Sequence, residues 1–68
     1  MKTKDRKKIK ARIEQRRNQI LDVASLIFSR EGFARANTDE IAKAANLGKG
    51  TIYRYFKNKR ALFLSVVD

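Results

Sequence analysis

The 68-residue chain has no cysteine and no histidine. Without cysteine it forms neither a disulfide nor a thiolate metal site. Without histidine it lacks the commonest metal ligand and the commonest general base. An enzyme is hard to build from what remains, so the sequence assigns no catalytic residue, no metal ligand and no cofactor. Acidic residues are scarce: 7 Asp and Glu stand against 17 Lys and Arg, a net charge of +10. So large an excess on so short a chain implies a polyanionic partner, either nucleic acid or an anionic membrane surface. Long apolar runs are missing too, and none approaches the ~20 residues of a membrane-spanning helix. The basic N-terminus is not followed by an apolar stretch of secretory type, so the chain reads as intracellular. Its length suits one small domain with a marginal core.

What is present falls into segments. Residues 1–13 carry Lys2, Lys4, Arg6, Lys7, Lys8, Lys10 and Arg12 against one acid, Asp5. Such a run buries too little apolar surface to order itself, and reads as a flexible basic arm that turns helical on an anion. Its functional reading is an arm on phosphates or in the minor groove; the plainer reading is a solvated tail. Residues 14–68 form the domain proper. The spacing of Ile13, Ile20, Val23, Ala24, Ile27 and Phe28 predicts a helix over about 14–30 with one apolar face. Leu26 lies off that stripe. Gly32 closes the helix in a conformation that other residues resist, and Phe33 folds back on it.

Thr38 reads as the N-cap of a second helix, with Asp39 and Glu40 in the first turn where the macrodipole favours acids. Ile41, Ala42 and Ala45 form its inward face, the alanines permitting a close helix crossing. Asn46 suits a left-handed turn, and Leu47 plugs that turn into the core. A third helix follows over about 49–55, with Ile52 and Phe56 inward and Lys49, Thr51, Arg54 and Tyr55 outward or sideways. Asn58 caps a fourth helix beginning at Lys59, with Leu62, Phe63, Val66 and Val67 as its apolar side. That pattern is still running at Asp68, so the expectation is a chain that continues into a further domain. A short helix bearing Lys, Thr, Tyr and Arg, bracketed by stops, is how a helix-turn-helix presents its recognition helix to the major groove. Gly48-Lys49-Gly50-Thr51 is not a phosphate-binding loop of the Walker type: position 43 is Lys43 where glycine is required, and Gly50 follows the lysine where Ser or Thr is required.

Five segments in order resemble the DNA-binding domain of the tetracycline-repressor (TetR) family: Ile20-Leu21-Asp22-Val23-Ala24; Phe28 with Gly32-Phe33; Thr38 with Ile41-Ala42-Lys43-Ala44-Ala45; Lys49 to Phe56; and Asn58-Lys59-Arg60-Ala61-Leu62. The resemblance spans about residues 16–67. It implies an all-α fold, a small bundle of three helices plus the start of a fourth, containing a homeodomain-like helix-turn-helix. It implies that Thr38 meets phosphate, that Lys49, Gly50 and Thr51 approach base edges or flanking phosphates, that Tyr53 and Tyr55 hold the backbone, that Arg54 helps select sequence, and that Lys59 meets a phosphate. Gly48 replaces the usual serine cap and Asn46 the usual glycine, which suggests a looser turn. Asp39 sits near where some members place a basic contact.

The expected function is sequence-specific binding of double-stranded DNA by a cytoplasmic, nucleoid-associated regulator of repressor type, through the major groove of a palindromic operator. The resemblance further implies a homodimer formed by an additional C-terminal domain, and a small-molecule inducer that this stretch of chain does not bind. Exposed Leu64 and Val67 are where that further domain would pack. The alternative is a basic amphipathic module that binds RNA or anionic membrane without sequence choice. The +10 charge fits both; the segmented, capped helices favour DNA, because a surface-lying peptide needs one long helix with one wide apolar face.

Overall fold

The computed structural model describes residues 2–67, with side chains from residue 8 onward. Four helices follow one another: α1 Lys2–Arg35, α2 Thr38–Ala44, α3 Lys49–Tyr55 and α4 Lys59–Val67. There is no strand among the described residues, and no helix is long and apolar enough to cross a membrane.

The first helix departs from the sequence expectation at both ends. It begins at Lys2 rather than near Glu14, so residues predicted to be a flexible arm continue the helix. The reason is local: Lys, Arg, Glu, Gln and Ala are good helix formers, and no glycine interrupts them before Gly32. Thirty helical residues at 1.5 Å each reach about 45 Å, in keeping with the 46 Å long axis of the molecule. Every residue from Lys8 to Gln19 is exposed, so this half of α1 stands clear of the core. Ile13, predicted to open the buried stripe, is 49% exposed. The core begins about two and three turns later, at Ile20 and Ala24.

At its other end α1 breaks at Gly32 (φ 81°, ψ 165°) and then makes one further turn to Arg35, closed by Ala36 N–H donating to the Gly32 carbonyl at 3.0 Å. Those angles belong to a region that only glycine occupies readily. The break turns Phe33 back onto the end of α1 and α4. Its ring lies 6.1 Å from that of Phe28 and 5.1 Å from that of Phe63, while Phe28 and Phe63 meet edge-on at 5.1 Å. Arg30 bridges the same corner to α2, donating to Glu40 Oε1 at 2.8 Å and Glu31 Oε2 at 3.3 Å. Glu31 and Glu40 converge on Arg30, and their proximity to each other holds Glu31 below the ordinary glutamate range and raises Glu40.

Ile20, Ile41, Ile52 and Leu62, one from each helix, are the largest fully buried side chains and meet at the centre. Burying each is worth about 1.5–3 kcal/mol, so the loss of any one threatens so small a domain. Val67, expected on the apolar side of α4, is 63% exposed; Leu62 carries that side, with Phe63 and Val66 half-buried beside it. Val67 lies five residues on from Leu62, about 140° away around the helix, which takes it off the buried face.

Candidate nucleic-acid interface

The site is built by two helix ends and the turn between them. The N-cap of α2 is Asn37, not Thr38 as predicted: the Asn37 side chain accepts from Asp39 N–H at 2.7 Å. Thr38 is therefore the first helical residue, and its side chain turns inward, 8% exposed. Two adjacent polar residues competed for the cap, and the larger apolar demand of the core drew in the one with a methyl group. Glu40 completes the acidic first turn.

The α2–α3 turn is fixed by backbone hydrogen bonds. Asn46 takes the left-handed conformation (φ 58°). Its N–H donates to the Lys43 carbonyl at 3.0 Å, and Leu47 N–H donates to the Ala42 carbonyl at 2.8 Å. This pair of bonds is a Schellman motif, and Leu47 packs against the core. Gln19 of α1 donates to the Ala45 carbonyl at 2.9 Å, tying the turn to the first helix. Ala42 and Ala45 are buried at the crossing, as their size predicts. The expected looseness of the turn is thus offset by its hydrogen bonds.

Helix α3 starts at Gly48 without a side-chain cap. It spans 49–55 as predicted, buries Ile52, and ends at Phe56, also buried. Lys49, Gly50, Tyr53 and Arg54 are exposed; Thr51 and Tyr55 are half-buried. Tyr55 also packs on the core, so its ring has a structural task whatever its hydroxyl meets. Lys49 Nζ lies 3.4 Å from Asp39 Oδ1, an exposed pair joining the starts of α2 and α3. Asp39 therefore does not only lack a basic contact; it partly neutralises the nearest one.

Gly50 lies inside a seven-residue helix, where glycine costs about 0.5–1 kcal/mol relative to alanine. A methyl group there would meet no atom within 4 Å. The fold does not require this glycine, and its lack of a side chain leaves the backbone of α3 open to close approach.

Lys59 is engaged within the fold. Its ammonium donates to the Phe33 carbonyl at 2.7 Å and to the Ala36 carbonyl at 3.1 Å, and lies 4.4 Å from the centre of the Phe33 ring. Sequence reasoning assigned Lys59 only a phosphate contact. The carbonyls it caps lie 26 and 23 residues earlier, and no local pattern signals such a pairing. Asn58 caps α4 as predicted, accepting from Ala61 N–H at 2.8 Å.

Arg16 and Arg17 have no functional assignment from the sequence. Arg17 lies over the Phe56 ring, 5.4 Å from its centre. Arg16, with Ile13, faces Thr51, Arg54 and Tyr55 across a cleft between α1 and α3.

Comparison with known proteins agrees with this architecture. The model of the family "Bacterial regulatory proteins, tetR family" matches residues 20–66. An uncharacterized HTH-type transcriptional regulator of Bacillus subtilis, YhgD, is 48% identical over 48 residues, covering 71% of this chain and 25% of the relative. The HTH-type transcriptional regulator AcrR of Shigella flexneri is 42% identical over 60 residues, covering 88% of this chain and 28% of the relative. The HTH-type transcriptional activator FasR of Mycolicibacterium smegmatis is 39% identical over 55 residues, covering 81% of this chain and 25% of the relative. The match thus takes in about a quarter of each relative's length. The chain belongs to the tetR family of bacterial regulatory proteins, and its helix-turn-helix is the sequence-specific DNA-binding domain of such a regulator.

Proposed function

We propose that this domain reads one half of a palindromic operator, with α3 in the major groove, as part of a homodimeric repressor acting on the nucleoid in the cytoplasm. One observation carries the reading: α3 is anchored by buried Ile52, with Tyr55 packed on the core beside it, and turns Lys49, Gly50, Tyr53 and Arg54 outward together. A helix so placed presents side chains to base edges while its flanks meet phosphate.

In this reading Arg54 reads a base edge, bidentate to guanine by preference. Lys49, Gly50 and Thr51 approach base edges and the adjoining phosphates, and the open backbone at Gly50 permits that closeness. Tyr53 and Tyr55 hold the sugar–phosphate backbone. Thr38, with its side chain buried, contributes its backbone N–H. Lys59 uses two of its N–H bonds within the fold and offers the third to phosphate. The basic N-terminal half of α1 adds contacts that neutralise phosphate without reading sequence.

Leu64 and Val67 are exposed, and an apolar groove beside Phe63 runs between Phe33 and Leu64. In this reading that face carries the rest of the regulator, which supplies the dimer contacts and the inducer site. FasR is named an activator; repression is the sense of regulation proposed for this chain.

The test is selection of bound duplexes from random-sequence DNA, followed by titration of the selected duplex and a random one. Arg54→Ala should cost the selected duplex about 1–3 kcal/mol of discrimination and leave random binding nearly unchanged. Equal loss on both duplexes would make Arg54 a backbone contact. Failure of the wild-type chain to enrich any sequence would overturn the reading.

A further inference from the structure

The cleft between the exposed half of α1 and the recognition helix has no assigned role. Ile13 and Arg16 form one wall, and Thr51, Arg54 and Tyr55 the other. The space between them is about 490 Å³ and open to solvent, ample for a phosphodiester. It is lined by two guanidinium groups and two hydroxyl-bearing side chains, and by no carboxylate. Neither Arg16 nor Arg54 forms an ion pair with any described residue. Two like charges facing one cleft raise each other's energy until an anion enters. The neighbouring Arg17 shows the contrast: its guanidinium is spent on the Phe56 ring, while Arg16, about 100° further round the helix, is left facing α3.

We propose that this cleft seats a DNA phosphodiester, held chiefly by Arg16, with Thr51 and Tyr55 as neutral donors. Guanidinium suits this task because its planar fork matches two phosphate oxygens at once. Arg54 lines the same cleft from α3 and reaches past the seated phosphate toward the base edge. Arg16 then anchors the strand beside α3 through its phosphate and reads no sequence itself. The seat exists because α1 is helical through Ile13 and Arg16; a loose arm would not hold Arg16 opposite Thr51. The proposal rests on the reading that α3 faces DNA, and adds to it a first-helix anchor.

The experiment titrates the selected duplex and a random duplex with the 68-residue chain and its Arg16→Gln, Arg16→Lys and Arg54→Ala variants, over a range of salt. Arg16→Gln should weaken both duplexes by the same factor and reduce the slope of log affinity against log salt by about 0.9. Arg16→Lys should restore the slope, because it keeps the charge, while recovering only part of the affinity. The thermal midpoint should not move, since Arg16 is exposed. Unchanged affinity and slope in Arg16→Gln, with Arg54→Ala still losing discrimination, would overturn the seat and leave the reading of α3 standing. Loss confined to the selected duplex would overturn it as well, by making Arg16 a base reader. If the wild-type chain selects no duplex, both proposals fall together.

Discussion

Lys59 and Phe33 are joined twice: the ammonium donates to the Phe33 carbonyl at 2.7 Å and sits 4.4 Å from the centre of its ring. With the Ala36 carbonyl at 3.1 Å as a third partner, one side chain fastens the start of α4 to the turn after Gly32. The position looks unfavourable in isolation, because a cation in the first turn of a helix opposes the macrodipole by about 0.3–1 kcal/mol. Carbonyl oxygens from another element and an aromatic face offset that cost. Lys59→Met keeps the stem and removes the charge. It should destabilise the domain by about 1–2 kcal/mol, given charged hydrogen bonds and an aromatic contact at a partly exposed site. Urea unfolding reads this directly as a lower midpoint at constant slope. An unchanged midpoint would show that the clasp does not hold the free domain together.

Gly32→Ala isolates backbone conformation from packing. A methyl group at Gly32 meets nothing within 4 Å, yet φ is 81° and ψ 165°. The expected cost is about 1–3 kcal/mol, or a fall in Tm of about 4–8 °C per kcal/mol for a domain of this size. A melt within a degree of wild type would mean that the turn can relax without releasing Phe33.

Gly50→Ala should separate stability from binding, moving the two in opposite directions. Alanine favours the helix by about 0.5–1 kcal/mol, and the structure has room for it. The same methyl group stands between the α3 backbone and any partner that approaches it closely. The variant should melt higher and bind the selected duplex less tightly. Tighter or equal binding would place Gly50 away from the DNA.

Asp39→Asn should strengthen binding to selected and random DNA alike. The substitution removes a negative charge from the face that carries Lys49 and releases Lys49 from its 3.4 Å partner. An exposed pair of this kind is worth on the order of 0.2–1 kcal/mol, which sets the scale of the gain. The effect should shrink as salt rises. Fluorescence anisotropy at two salt concentrations is sufficient, and equal affinities of variant and wild type at low salt would remove Asp39 from the interface.

The sequence by itself determined most of the elements whose cause is local. The limits of α3, the cap at Asn58, the left-handed turn at Asn46, the break at Gly32 and the inward faces carrying Ile41, Ile52, Phe56 and Leu62 all follow from residue type and spacing over a few positions. It also determined the family, because five short patterns in order require no knowledge of their arrangement in space. Competition between neighbours and contacts between distant segments were not legible there. Asn37 and Thr38 are both good caps, and only burial of Thr38 decided between them. The extent of α1 turned on whether basic residues with high helix propensity would continue a helix begun by others, which charge counting misjudged. Lys59 reads as a phosphate-facing cation until the chain 23 and 26 residues earlier is brought beside it. Arg16 and Arg17 are indistinguishable as letters. Tertiary structure alone set one on the Phe56 ring and left the other facing the recognition helix, because a turn of 100° between adjacent helical residues matters only once something lies to either side.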